Sequence, residues 1–489
     1  MSPTSTGEKD VSAELLRERP ERPQVLCVDL DGTLIAADLF WESALRLVAQ
    51  RPWLVLMLPV WSLRGKAHLK RQIAIRVSIR ADQLPYRLEL LEQLQSARTR
   101  GAQLVLATGS DELYARQVTE HLGLFSRLLA SDGRVNLTGR RKAHRLAQEF
   151  GEGRFHYIGN DWSDVSVWRV AASATVVGGP PGLVRYARAR LNMHQSLSDQ
   201  PSRVKAMLRA MRPHQWAKNL LIFVPLITSH QLGDPGKLAQ ALIAFVAFGL
   251  CASAIYIFND LLDIQSDRAH PRKRLRPFAA GQLSIPTGVA LAFALLGFSA
   301  LATAATKSAS FAVVLAIYVL TTTAYSVRLK REPVLDVFVL ASLYVLRVVG
   351  GAMATDVTPS NWLLGFALFM FLSLAFVKRY TELLGQGGSM PGRGYASVDR
   401  SWMTAIGISA GYMAVVILAL YVDSDDVTAL YTRPKALWLL CPVILFWITR
   451  MWFRAGRQQV HDDPVLEALL DPVSYVCALA IGGALVAAL

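Results

Sequence analysis

A chain of 489 residues, 52% of them hydrophobic and with a mean hydropathy of +0.30, is too apolar for an ordinary soluble enzyme. Its length leaves room for about two or three domains. The net charge of +15 would suit a nucleic-acid binder, but the bases gather in short loops between apolar runs, as cytoplasmic membrane loops do, and no nucleic-acid module is present. The four cysteines (Cys27, Cys251, Cys441, Cys477) have no paired spacing, which excludes a disulfide framework and a zinc site.

Residues 1–23 form a polar, charged tail without the apolar core of a signal peptide, so the first domain is expected to stay in the cytoplasm. Residues 24–190 alternate short β-branched apolar runs with polar helical stretches, the signature of a Rossmann-like α/β domain. Its first run, Val25–Val28, leads straight into Asp29-Leu30-Asp31-Gly32-Thr33. Later runs end in Thr108-Gly109-Ser110 and Gly159-Asn160-Asp161, placing polar residues at strand carboxyl ends, where open α/β sheets bind ligands. Two carboxylates on a tight turn suit phosphoryl transfer: one attacks phosphorus, and the other protonates the leaving oxygen and then activates water. The same chemistry needs a hydroxyl for phosphate oxygens, a cation, and acids for a metal; Thr108, Lys142, and Asp161 or Asp164 supply these in order. Residues 39–95 read as a helical cap whose run Trp53–Trp61 is too short to span a bilayer. That run suits equally a cap resting on the membrane surface and the buried hairpin of an ordinary cap. Residues 191–211 are polar and read as a linker.

Residues 212–489 read as an all-α polytopic membrane domain of about nine transmembrane helices, from Gln215–Ser229 to Val473–Leu489. Bases crowd the loops after the second, fourth, sixth and eighth helices (Arg268–Arg276, Arg328–Arg331, Lys378–Arg400, Arg450–Arg457), so these loops and the soluble domain are expected on the cytoplasmic side and the C-terminus opposite. The second helix ends in Asn259-Asp260-Leu261-Leu262-Asp263-Ile264-Gln265-Ser266-Asp267. On one continuous helix Asp260, Asp263 and Asp267 share a face with Asn259, a set of oxygens fit for a hard cation such as Mg²⁺. Lys218, Lys273, Arg274, Arg276 and Lys330 stand at the membrane boundary, and Arg347 and Lys378 lie within or at the edge of apolar spans. A pyrophosphate with Mg²⁺ would suit this arrangement, the carboxylates holding metal and the cations holding oxygens.

The first constellation, Asp29 and Asp31 with Thr108, Lys142 and the later acids, resembles the haloacid dehalogenase superfamily. The resemblance implies Asp29 as phospho-accepting nucleophile, Asp31 as general acid/base, Thr108 and Lys142 as phosphate binders, and Mg²⁺ among Asp29, Asp31, Asp161 and Asp164. The family's usual Gly-Asp is here Gly159-Asn160. Intact Asp29, Asp31, Thr108 and Lys142 favour an active phosphatase over a docking module.

The aspartate-rich motif resembles the signature of the UbiA superfamily of intramembrane prenyltransferases. RPHQWAKN (Arg212–Asn219), HPRKRLRPFAAG (His270–Gly281), YSVRLKREPVLD (Tyr325–Asp336), FVKRYTEL (Phe376–Leu383) and GRGY (Gly392–Tyr395) are similar to its decaprenyl-phosphate phosphoribosyltransferase branch. This resemblance implies transfer of a 5-phosphoribosyl group from phosphoribosyl pyrophosphate to polyprenyl phosphate, with a second Mg²⁺ on Asn259, Asp260, Asp263 and Asp267. Asp260 and Asp263 would be the catalytic acids; Lys218, Asn219, Lys273, Arg274, Arg276, Tyr325, Lys330, Asp336, Arg347 and Lys378 would bind substrates. Aromatic-acceptor members carry a second full acidic motif after the fourth span, where this chain has only Asp336. The fused hydrolase could then remove the product's 5-phosphate. Two other readings stay open: prenyl transfer to an aromatic acceptor, and a non-catalytic anchor or transporter carrying the hydrolase domain.

Overall fold

The computed structural model describes residues 25–197, 202–385, 389–390, 393–424, 427, 431–460 and 463–489; the tail 1–23 and Gly392 lie outside them. The chain divides into two compact units, Met1–Ala210 with Phe258–Ala290, and Met211–Ile257 with Leu291–Leu489.

The first unit is built on strands β1 (Val25–Val28), β2 (Gln103–Asp111), β3 (Arg127–Ser131), β4 (Phe155–Gly159), β5 (Ser173–Val177) and β6 (Met193–Leu197). They pair in parallel in the order β3-β2-β1-β4-β5-β6. Both faces are covered, which is why the central strands read as near-continuous apolar runs. Successive side chains take opposite sides: Leu26, Val28, Leu104 and Leu106 pack in one core, and Cys27, Val105, Ala107 and Tyr157 in the other. The strand order reverses between β1 and β4, so the loops after these two strands open the crevice where such sheets bind ligands. The stretch 191–211, expected as a linker, supplies β6 and the helix Arg203–Met211. β6 pairs only with β5 at the sheet edge, so it needs no long apolar run.

Helices Leu39–Gln50, Met57–Leu63 and Lys66–Ala74 form the cap. Trp61 is buried beneath the Arg76 guanidinium, 4.7 Å from the ring centre. Trp53, Leu56 and Leu63 are 67%, 76% and 87% exposed, which is not the buried hairpin of an ordinary cap.

Among the described residues seven helices are long and apolar enough to cross a membrane, and the pair Pro464–Leu470 and Pro472–Ala488, bent by 81°, is an eighth if counted as one. The remaining expected span, Gln215–Ser229, is a 3-10 helix Pro213–Phe223 running into a short α-helix Val224–Thr228. This irregular stretch is not among the helices long and apolar enough to cross a membrane. It lies on Gly351 of the helix Leu335–Thr355, where a Cβ would overlap the Ile222 carbonyl. Small residues also let the later helices meet: a Cβ on Gly407 would overlap Trp452, and one on Gly411 would crowd Ile448 and Ser373.

Candidate functional sites

β1 ends by handing Asp29 to the crevice, its N–H bonded to the Ile158 carbonyl at 2.9 Å. The Asp29 carboxylate accepts from Lys142 Nζ at 2.8 Å, and Lys142 also donates to the Tyr157 hydroxyl at 2.7 Å. Tyr157 in turn donates to Asp164 at 2.9 Å. Asp164 also takes the N–H groups of Asn160 and Asp161 (3.0 and 3.1 Å), so it fixes the loop after β4, while Asp161 is exposed. Burial pushes the Asp29 carboxyl upward and Lys142 pulls it part of the way back. Asp31 accepts from the Leu39 N–H at 2.9 Å and from the Ser110 hydroxyl. Burial, with the charge of Asp38, pushes Asp31 up to about 6. Thr108 is fully buried and its hydroxyl accepts from the Ser110 N–H at 3.0 Å, so Ser110 reaches Asp31 and Thr108 supports it from below. Asn160 accepts from the Thr33 hydroxyl at 3.1 Å, and a Cβ on Gly32 (φ +73°) would overlap its amide.

The structure thus brings Asp29, Asp31, Lys142 and Asn160 to one crevice. Sequence reasoning missed Ser110, Tyr157 and Lys70, whose Nζ donates to the Gly109 carbonyl at 2.6 Å. Alternation along β4 could have found Tyr157; nothing local marks Lys70, which arrives from the cap.

The aspartate-rich motif departs from the single helical face expected of it. The helix Pro235–Leu262 stops one residue before Asp263, which becomes the N-cap of a separate helix Ile264–Ala269. Asp260 and Asp267 are buried and share one cation: Arg276 donates to them at 3.2 and 2.8 Å. Burial raises the Asp267 carboxyl, and Arg276 offsets part of that rise. Among the described residues no three Asp, Glu, His or Cys side chains gather as they would around a metal ion. Lys273 and Arg274 are exposed on the turn Lys273–Leu275.

In the second unit the 3-10 helix supplies Lys218 and Asn219, both buried. Asn219 accepts from Arg347 Nε at 2.9 Å. Arg347 also donates to the Tyr318 hydroxyl at 3.0 Å and lies 4.9 Å from that ring's centre. Lys218 and Lys378 meet Asp463, the former in a short ion pair and the latter at 3.5 Å. Burial alone would raise Asp463; Lys378 and Lys218 outweigh it and hold the carboxyl well below the usual range. A second cluster surrounds Asp336, which accepts from Arg379 and, at 2.5 Å, from the Tyr395 hydroxyl. Arg379 also reaches Tyr325 and, at 2.6 Å, Glu382. Arg393 donates to Tyr325 at 3.2 Å. Lys330 lies on the short helix Leu329–Arg331. Asp463, Arg379, Glu382 and Tyr395 were not foreseen as site residues, because each is defined by a partner far away in sequence.

Residues 26–169 match the haloacid dehalogenase-like hydrolases and residues 221–385 the UbiA prenyltransferase family. The chain is 35% identical over 476 residues to y4nM, an uncharacterized protein of Sinorhizobium fredii, covering 96% of this chain and 92% of that one. It is 32% identical over 313 residues to the decaprenyl-phosphate phosphoribosyltransferase of Mycolicibacterium smegmatis, covering 60% of this chain and 98% of that one. A solved UbiA homolog from Archaeoglobus fulgidus, bound to GPP and Mg²⁺, superposes with a TM-score of 0.45 at 18% identity, covering 57% of this chain and 98% of that one. The two family matches, with the relatives of 32% and 35% identity, define a multi-pass membrane protein of a transferase family fused to a hydrolase-family domain. The chain belongs to the UbiA prenyltransferase family and carries an N-terminal haloacid dehalogenase-like domain.

Proposed function

We propose that the chain transfers a 5-phosphoribosyl group from phosphoribosyl pyrophosphate to a polyprenyl phosphate, and that its hydrolase site removes the 5-phosphate from the lipid-linked product. The observation that carries this reading is the 32% identity to a decaprenyl-phosphate phosphoribosyltransferase across 98% of that protein. The Asp336 cluster supports it: a lone carboxylate already matched by Arg379 and Tyr395 is a poor substitute for a second acidic metal motif.

In the transfer, a lipid phosphate oxygen attacks ribose C1 as the bond from C1 to pyrophosphate breaks. The motif carboxylates and the cations of their own unit, Lys273, Arg274 and Arg276, would hold the pyrophosphate. In the hydrolase site Asp29 attacks phosphorus, the ester P–O bond breaks and Asp31 protonates the leaving C5 oxygen. Water then releases inorganic phosphate, returning a proton to Asp31. Asp29, Asp31 and the Asn160 amide oxygen in one site, and Asp260 and Asp267, drawn together on Arg276, in the other, are hard oxygen donors that would hold Mg²⁺. Bound Mg²⁺ would offset phosphate charge in each. The basic loops support a cytoplasmic orientation, and the exposed Trp53, Leu56 and Leu63 support a cap that touches the bilayer surface.

Membranes incubated with labelled phosphoribosyl pyrophosphate and polyprenyl phosphate test the transfer. Labelled lipid is expected; its absence, with turnover of polyprenyl diphosphate and an aromatic acid instead, would overturn the reading. An Asp29→Asn variant should still label the lipid but accumulate its 5-phosphorylated form, read by mass spectrometry. Normal release of dephosphorylated lipid by that variant would assign the hydrolase another substrate.

A further inference from the structure

The cavity beside Asp29 and Asp31 is not walled by the α/β sheet alone. Its volume of about 650 Å³ is that of a small-molecule site. One side is polar and holds Asp29, Asp31, Lys70 and Lys142. The segment that follows the aspartate-rich motif also lines the cavity, with Ile264, Phe278, Leu283 and Ile285 beside the polar Gln282 and Ser284, together with Trp41 of the cap.

That segment is locked in place by contacts of three kinds. Arg268 forms a bidentate ion pair with Glu42, one arm at 2.9 Å, with both side chains nearly buried. Arg209 donates to Gln282 at 2.7 Å. Gly281 (φ +68°) packs so closely that a Cβ would overlap the carbonyl oxygen of Ala36, within the loop that follows Asp31. A wall held against the catalytic loop at this closeness belongs to the site.

A free sugar phosphate would leave the half-exposed ring of Trp41 against bound water, beside a segment whose own apolar side chains are already buried. A ligand with phosphate at one end and an isoprenoid at the other satisfies both sides at once. We propose that the segment Ile264–Ile285 is a selectivity wall that makes the Asp29 site a phosphatase of isoprenoid-linked phosphomonoesters. The terminal phosphate sits between Asp29 and Lys142, and the first isoprenyl unit lies on Trp41, Leu283 and Ile285. Asp29 forms the acyl phosphate as the ester P–O bond breaks, Asp31 protonates the alcohol, and water releases phosphate. The inference rests on the phosphatase reading of the Asp29 site and is independent of how its substrate is made.

Two synthetic phosphomonoesters with the same leaving group test it on the full-length protein in nanodiscs: ribose 5-phosphate and 5-phosphoribosyl-1-phosphofarnesol. Wild type should favour the farnesylated ester in kcat/KM by about tenfold or more, the discrimination an apolar contact or two supplies. Trp41→Ala and Ile285→Ser should each lower that ratio several-fold. Glu42→Arg should lower it too, and Glu42→Arg with Arg268→Glu should restore it, which a simple loss of folding would not do. Equal turnover of both esters by wild type, turnover of neither, or an unchanged ratio in every wall variant would each overturn the proposal. Labelled phosphoribosyl pyrophosphate in the same nanodiscs reads the transferase separately. Lost transfer with a preserved ester ratio faults that reading alone; a lost ratio with preserved transfer faults this one.

Discussion

The two units treat buried charge differently. At the carboxyl end of the central strands Lys142 and the carboxylates Asp29 and Asp164 line or adjoin an open cavity, so an arriving phosphate would be able to enter their network. In the membrane unit the buried cations are already matched inside the protein: Arg379 with Asp336 and Glu382, Lys218 and Lys378 with Asp463, Arg347 with Asn219 and tyrosines. Hydrocarbon offers a lone ion no water, so a charge there persists only with a partner. A substrate phosphate at Lys218 or Lys378 must therefore compete with Asp463. One site is poised to bind; the other has to exchange partners.

This contrast can be broken experimentally. Asp29→Asn should slow phosphate release by about a thousandfold or more, as loss of a nucleophile does, with thermal stability unchanged or higher. Asp336→Ala, read by thermal unfolding in detergent, should instead destabilise by about 3 kcal/mol, because it takes from buried Arg379 one of its two carboxylates and leaves it Glu382 alone. A double variant, Asp336→Leu with Arg379→Met, should recover much of that loss. Equal stability costs for Asp29→Asn and Asp336→Ala would erase the distinction.

A smaller effect comes from His156, whose ring nitrogens meet the Ser173 hydroxyl at 2.5 Å and the Thr175 hydroxyl at 2.9 Å. Burial, then His194, pushes it down to about 4 from the ordinary 6.5. The folded value is the lower one, so the unfolded chain binds more protons between these limits. The stability it contributes is complete above pH 6.5 and is lost as pH falls to 4, by about 3 kcal/mol. His156→Asn should flatten the melting temperature over that window. The smallest signal concerns the cap: brominated lipids should quench a fluorescence component that Trp53→Phe removes, with no change in melting temperature. An unchanged quenching profile would detach the cap from the bilayer.

Local patterns carried much of this architecture in the sequence. Val25–Val28 followed by Asp29 and Asp31 marked both a buried strand and the turn that carries two carboxylates into the crevice, since strand burial and turn chemistry act over a few residues. The long apolar runs marked the membrane helices in the same way. What stayed hidden depends on distant partners. Met193–Leu197 reads as polar because its pairing lies on one side only. The helix Pro235–Leu262 stops before Asp263 although no proline or glycine announces it. The 3-10 course of Pro213–Phe223 depends on a missing side chain at Gly351, and Lys218 is matched by Asp463 some 245 positions away.

The wall beside Asp29 also bears on how the polypeptide can be divided. Phe258–Ala290 is continuous with membrane helices at both ends, yet it groups with the sheet. A fragment ending at Ala210 would keep the strands, the nucleophile and the cap but forfeit Arg268 and the side chains from Ile264 to Ile285. Glu42 would then lose its partner and the cavity its apolar side. Residues up to Ala210 alone therefore lack one side of the cavity beside Asp29.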